Sequence, residues 1–313
     1  MYISSETRLF IREHSTDDVR TLALQSKKYP DVDMPVAITQ IAGRQIAAEK
    51  IPSWKKIEDI RYPKHLSLEQ CSSEITAYYK AGLLQGDSLT DLTGGFGVDC
   101  SFLAEKFKSV TYVERQEELC GIAAHNFPIL GLNHINVKNE DGIAHLKAMS
   151  PVDCIFLDPA RRNEHGGKAV AISDCEPDVA ALEGLLLNKA KQVMVKLSPM
   201  LDLSLALREL QQTQEVHIIS VNNECKELLL ILGQTIPQEI KIHCVNLSTK
   251  GEQEGQHFTF TREQEQCSQC SYTDSLDEYL YEPNASLLKA GAFKSLSSAF
   301  PIRKLHPNSH LYT

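Results

Sequence analysis

The run Asp91-Leu92-Thr93-Gly94-Gly95-Phe96-Gly97 constrains this chain more than any other stretch. It sets three glycines within four residues, after an apolar-leaning run, Ser88 to Leu92. Apolar residues at helical spacing follow it, at Val98, Phe102, Leu103 and Phe107. Strand, glycine turn and helix together bring backbone N–H groups up to a nucleotide. The next apolar run, Val110 to Val113, ends in Glu114, where a ribose-binding acid belongs in such folds.

Such a turn holds a dinucleotide, S-adenosylmethionine or nothing. The dinucleotide fingerprint needs a third glycine three residues after the second. Gly95 and Gly97 fit the first two places, but Cys100 stands at the third. Asp91 also suits a cationic methionine moiety better than a pyrophosphate. The pattern therefore favours S-adenosylmethionine, and Glu114 weakens the reading of an empty turn.

The rest of the chain supports an α/β reading. Residues 1–86 read as a separate helical domain, with helices expected over Asp17–Lys27 and Pro35–Lys50. A third is expected from Ser67, where Ser67-Leu68-Glu69-Gln70 matches a capping box, up to Gly86. Over 87–235 the rhythm is strand and helix. Strands are expected at Ser88–Leu92, Val110–Val113, Ile135–Val137, Val152–Leu157, Gln192–Leu197, Val216–Val221 and Leu228–Leu232. Helical patterns fill four gaps: Val98–Phe107, Glu117–Leu130, Pro177–Lys189 and Leu203–Gln212. This predicts a Rossmann-like, mainly parallel seven-stranded sheet covered on both faces, its last two strands forming a hairpin at the edge. After Gly233 the texture changes to a small α+β module, 236–313, expected to be incomplete, with short strands at Lys241–Leu247 and His257–Thr261.

A net charge of −9 argues against a broadly basic nucleic-acid surface but leaves room for a local basic patch. The nine cysteines are scattered and no signal peptide opens the chain, which points to a reducing cytoplasm. Cys267-Ser268-Gln269-Cys270 is a lone C-x-x-C, too few ligands for structural zinc. No metal is expected. No apolar run is long enough for a membrane helix, so no membrane partner is expected. The sequence sets no oligomeric state.

Further polar residues fall at strand ends, where ligands bind in open α/β sheets. Asp141, before Gly142, either accepts from an adenine amine or caps the helix that follows. Asp158 and Pro159 end the fourth strand. They are candidates to accept a hydrogen bond from a nucleophile and align it for direct methyl displacement, and a turn-capping Asp158 is the alternative. Arg161 and Arg162 either grip a phosphate or a base, or pair with Asp174 or Glu176. The long polar connection after them, with Gly166-Gly167, has the composition of a lid. Lys196 and Ser198 end the fifth strand and are candidate substrate contacts, with a solvated strand end as the alternative for Lys196. Gln70 and Ser72-Ser73-Glu74 sit on a helix that either covers the methionine end of the cofactor or packs for structure alone.

Asp91 to Gly97, Glu114, Asp141 and Asp158-Pro159 resemble, in order and spacing, the motifs of class I S-adenosylmethionine-dependent methyltransferases. Thr93 stands where glycine is usual, as in many nucleic-acid methyltransferases. The resemblance implies that Asp91, Thr93, Gly94, Gly95, Gly97, Glu114, Asp141 and Gly142 bind the cofactor. It also implies that Asp158, Pro159 and Arg161 serve catalysis, and that Arg162, Lys196 and Ser198 meet the substrate. The run Ala124 to Leu132 resembles the equivalent helix of several RNA methyltransferases. More closely, Glu69–Glu74, Asp158–Arg162, Lys196–Met200, Glu224–Leu228 and Tyr281–Ala285 resemble a bacterial methyltransferase group with a THUMP-like C-terminal domain. THUMP modules bind RNA, so the resemblance implies an RNA substrate such as tRNA; the alternatives are a small-molecule or protein acceptor, or a non-catalytic RNA-binding module. One departure stands out. Amine-methylating enzymes of bases usually carry Asp/Asn-Pro-Pro-aromatic, and here Ala160 and Arg161 replace the second proline and the stacking aromatic.

Overall fold

The computed structural model describes residues 3–161, 171–249 and 255–313. It divides into two compact units, Met1–Cys154 and Ile155–Thr313.

The first unit opens with six helices: α1 (Ser5–Glu13), α2 (Val19–Leu24), α3 (Met34–Lys50), α4 (Pro52–Lys55), α5 (His65–Gln70) and α6 (Glu74–Ala81). The first three start where the sequence supplies a capping oxygen: Ser4, Asp18 and Asp33 accept from the N–H groups of Thr7, Thr21 and Val36. Phe10, Leu22, Met34, Ala37 and Ile41 form the core of this bundle. Helix α1 was not among the expected helices. The single helix expected from Ser67 is instead two, α5 and α6, broken at Cys71-Ser72-Ser73. Ser67 lies inside α5, so it caps nothing. The break has a physical reason, because Ser72 turns inward and bonds to Asp99 and Lys80.

Next come β1 (Ser88–Asp91), α7 (Val98–Ala104), β2 (Ser109–Glu114), α8 (Glu117–Ile129), β3 (Ile135–Asn139), α9 (Gly142–Ala148) and β4 (Val152–Leu157), which crosses into the second unit. β1 pairs parallel with β2, and β2 with β3. In strand order β4 stands on the other side of β1. Asp153 of β4 fixes the start of β1, accepting from the N–H groups of Asp87 and Ser88 and from the Ser88 hydroxyl. The helical segment and the glycine turn share one core, in which Trp54, Ile60, Tyr62 and Leu68 pack with Phe96, Val98 and Phe102.

The second unit adds β5 (Ala160–Arg161), β6 (Cys175–Glu176), α10 (Val179–Lys189), β7 (Ala190–Leu197), α11 (Leu203–Glu209), β8 (Thr213–Val221), β9 (Glu224–Gly233), β10 (Lys241–Leu247) and β11 (Gln256–Thr261). The expected hairpin is present. β8 and β9 are antiparallel, joined through Asn222 and Asn223 at φ 50° and 64°. Asparagine tolerates the left-handed region that such a tight hairpin turn needs. The hairpin is not the sheet edge, however, because β10 pairs parallel with β8 and β11 antiparallel with β10. Every residue of β8 from Val216 to Val221 is buried, which a solvent-facing edge strand would not permit.

The chain closes with α12 (Arg262–Cys267), α13 (Ala285–Ala290) and α14 (Phe293–Ala299), and Tyr281 is bridged to Tyr312. All nine cysteines are free, and among the described residues Cys267 and Cys270 join no cluster of metal-ligating groups. No described helix is long and apolar enough to cross a membrane.

Candidate active site

The three glycines of the turn have different physical reasons. A Cβ on Gly94 would stand 2.1 Å from the Tyr112 ring, and one on Gly97 would stand 3.0 Å from Phe127. Both positions are therefore set by aromatic rings beneath them, and Gly97 also sits at φ +87°. Gly95 lies at φ +55°, yet the nearest atom to its absent Cβ is 3.8 Å away. Packing does not demand glycine there. What glycine supplies is the left-handed backbone and a bare face on the turn.

The turn is locked from below. The Tyr112 hydroxyl donates to Gly95 O at 2.5 Å, and the Gly94 N–H donates to Val113 O at 2.8 Å. Burial, with Glu114 and other anionic neighbours, pushes that phenol well above its ordinary pKa, so it remains a donor.

Two carboxylates face the same turn. Asp91, wholly buried, accepts from Thr93 N–H at 3.0 Å. Glu114 ends β2 and is nearly buried. Its Oε2 accepts from Gly95 N–H at 2.9 Å and its Oε1 from Gln116 N–H at 2.8 Å. Each oxygen spends one lone pair on backbone and keeps another for a ligand hydroxyl. Asn139 of β3 donates to the Glu114 carbonyl, tying the second and third strand ends together.

Asp141 is the N-cap of α9. Its Oδ1 accepts from Ile143 and Ala144 N–H at 3.0 and 2.9 Å, and the residue is exposed. The capping alternative is thus realised, and it occupies one oxygen only. Gly142 approaches the turn so closely that a Cβ would meet Leu92 O at 2.3 Å. The structure therefore gathers Asp91, Thr93, Gly94, Gly95, Gly97, Glu114 and Gly142 around one turn, with Asp141 beside Gly142.

Sequence reasoning missed a neighbour of this turn. Lys80 of α6 is fully buried, 2.9 Å from Asp99 Oδ1 and 2.7 Å from the Ser72 hydroxyl, which bonds to Asp99 Oδ2 at 2.7 Å. Asp99 lies in the first turn of α7, two residues past Gly97. A signal was available. Lys80 falls on the buried stripe Thr76, Ala77, Ala81, Leu84, where a lysine needs a buried carboxylate.

In the second unit, Lys196 near the end of β7 donates to Asp158 Oδ2 at 2.6 Å. Its side chain is 9% exposed and that of Asp158 is 37% exposed. Lys196 is thus a buried ion-pair partner of Asp158, not a solvated strand end. Pro159 is buried. Ser198 accepts from Met200 N–H at 3.3 Å and so shapes the turn after β7. Arg161 pairs with Cys175 between β5 and β6. Arg162 and Gly166-Gly167 lie outside the described residues.

The whole chain aligns with a Porphyromonas gingivalis W83 protein described as a "putative methyltransferase", at 36% identity, TM-score 0.86 and 79% coverage of that chain. The chain belongs to this methyltransferase family. Residues 37–163 of the methyltransferase also match the protein-L-isoaspartate(D-aspartate) O-methyltransferase family. Residues 279–313 match a ferredoxin-like domain. The small C-terminal module expected from the sequence is thus matched as ferredoxin-like over these residues. Two partial likenesses are to an rRNA methylase of Streptococcus thermophilus and to a Streptococcus mutans protein, likewise described as a methyltransferase, in complex with SAH. The first has 15% identity and TM-score 0.37, over 51% of this chain and 93% of that one. The second has 13% identity and TM-score 0.36, over 51% and 96%. No curated protein matches the sequence.

S-adenosylmethionine is the cofactor of the methyltransferase, and the turn suits it. Gly95 leaves a face that a side chain would fill, a buried carboxylate lies at the strand end, and Glu114 has lone pairs for a diol.

Proposed function

We propose that the methyltransferase acts on RNA, transferring a methyl group directly to a nucleophile of the substrate. The supporting observation is the uneven charge. Residues 1–64 hold 11 Lys and Arg against 9 Asp and Glu, a net +2, in a chain whose total is −9. The acidic balance that argued against nucleic acid thus belongs to the other 249 residues, and a locally basic segment is what a polyanion needs.

In this reading S-adenosylmethionine supplies the methyl group as an electrophilic sulfonium substituent. Asp91 binds the methionine amine, Glu114 the ribose hydroxyls, and Asp141 and Gly142 the adenine. Thr93, Gly94, Gly95 and Gly97 hold the backbone close. Asp158, oriented by Lys196, accepts a hydrogen bond from the acceptor group, and the Pro159 carbonyl does the same. Arg161, Arg162 and Ser198 complete the substrate contacts. Alignment and a fixed hydrogen-bond acceptor are what a displacement at carbon asks of a protein.

A second reading is favoured by one observation. The stretch 37–163 matches a protein O-methyltransferase family, which points to a protein carboxylate as acceptor. Incubation with methyl-labelled S-adenosylmethionine and a total cell extract separates the two. Label in RNase-sensitive material supports RNA. Label confined to protein as base-labile ester overturns it in favour of the second reading.

A further inference from the structure

The N-terminal helices carry a cleft that methyl transfer does not use. Arg8 and Arg12 of α1, Arg44 of α3, and Arg61 and Tyr62 of the α4–α5 connection line it. Arg8 and Arg12 are one helical turn apart and so share a face. Glu58 and Asp59 are also present, two carboxylates against four guanidinium groups. Arg8, Arg12 and Arg61 make no side-chain hydrogen bond or ion pair among the described residues, whereas Arg44 donates to the Glu58 carbonyl at 2.7 Å. Burial, and then the Arg8 charge, push the Arg61 guanidinium below its ordinary pKa, with Asp59 pulling the other way. Like charges gathered in a partly desolvated cleft are costly unless an anion joins them.

Tyr62 is the second, independent observation. It is 1% exposed, and its hydroxyl is buried with no hydrogen-bond partner among the described residues. A buried hydroxyl left without a partner carries an uncompensated desolvation cost. Burial pushes its pKa up to about 12 while the Arg44 charge draws it down, so it stays a protonated donor.

The backbone beneath is built for the purpose. The Asn126 amide pairs with both Arg61 N–H and Arg61 O at 2.9 Å. The Gln40 amide pairs with both Tyr62 N–H and Tyr62 O at 2.9 Å. His125 bonds to Asp59 O at 2.9 Å. His125 and Asn126, within the run Ala124 to Leu132, therefore hold this segment.

We propose that this cleft is a phosphate site in which Arg8, Arg12 and Arg61 hold a phosphodiester of the substrate RNA and the Tyr62 hydroxyl donates to it. The RNA part rests on the reading above, whereas the anion site stands on the cleft alone.

The test has two arms on the full chain. In the first, pyrophosphate is titrated calorimetrically into wild type, Arg61→Gln, the exposed pair Arg8→Gln/Arg12→Gln, and Tyr62→Phe. Losses of about tenfold for the arginine variants and about threefold for Tyr62→Phe are expected, from the worth of charged and neutral hydrogen bonds. S-adenosylmethionine affinity should be unchanged in all of them, which controls for folding. In the second arm RNA binding is followed against salt, and the arginine variants should bind more weakly with a slope shallower by about 0.7 per lost phosphate contact on a single strand. Wild type and variants binding pyrophosphate equally, or wild type not binding it, overturns the site whatever RNA does. Pyrophosphate bound and lost as expected, with no RNA bound even at low salt, overturns the RNA reading and leaves the anion site standing.

Discussion

The two units each bury a lysine against an aspartate, and they do it differently. Lys80 is wholly enclosed, its partner Asp99 is 11% exposed, and the Ser72 hydroxyl closes a triangle with both. Lys196 is almost as buried, but Asp158 is 37% exposed. The first arrangement is a closed polar cluster that joins α6 to the helix after the glycine turn. The second has one member in the interior and one at the surface, where a substrate group can approach the carboxylate. The lesson is that burial of a charge does not identify function. Exposure of its partner separates a closed pair from one that a solvent-borne group can reach.

The comparison breaks most easily at Lys80. Lys80→Ala leaves Asp99 buried without its ammonium and should cost about 3–5 kcal/mol in urea unfolding, while Lys80→Met with Asp99→Leu should regain most of it. A loss below about 1 kcal/mol for the single variant would mean the triangle is not the closed unit described here.

His217, a third buried base, sharpens the contrast. Burial and the neighbouring His243 push it down from 6.5 to about 3, so the native state holds it neutral. Its ring stacks on His243 at 4.4 Å with planes 11° apart. In-plane lone pairs of near-parallel rings do not converge on one ion, although Glu215 lies beside both rings. Below pH 6.5 the unfolded chain binds a proton that the native chain refuses. Stability therefore falls as pH drops from 6.5 towards 3, by about 2 kcal/mol at pH 5. His217→Phe should flatten this acid limb, and an unchanged limb would refute the assignment.

Lys196→Met should cost less stability than loss of Lys80, about 1–2 kcal/mol, because Asp158 can rehydrate. Methyl transfer should fall at least about tenfold, the worth of one lost charged contact, with S-adenosylmethionine affinity intact. A stability loss equal to that of Lys80→Ala with transfer per folded molecule unchanged would erase the distinction.

Asp141 gives the smallest effect. Asp141→Ala should lose the α9 cap, about 1 kcal/mol, whereas Asp141→Asn should keep it. If Oδ2 also receives the adenine amine, both variants bind S-adenosylmethionine more weakly. An Asn variant with full affinity would confine Asp141 to capping.

The sheet was legible because buried parallel strands read as apolar runs, and all seven expected strands are there. Gly95 and Glu114 were legible because their types are dictated locally by turn and strand end. Tyr112, Phe127 and Asn126 were not, since what makes each matter lies a dozen or more residues away. The break between α5 and α6 was hidden for the same reason: Ser72 bonds to a residue 27 positions on. The continuation of the sheet through β10 and β11 was obscured by the polar stretch between them.

The two amide clamps on Arg61 and Tyr62 carry one more consequence. This connection belongs to no helix or strand, yet the N–H and C=O of Arg61 and Tyr62 are paired as they would be in a ladder, with side chains in place of a neighbouring strand. Its amide hydrogens should exchange with deuterium as slowly as those of the sheet, while Lys64 beside it exchanges freely. Adding or removing one residue between Ile57 and Tyr62 would put both clamps out of step at once. Homologues of this chain should therefore vary in length elsewhere before they vary here.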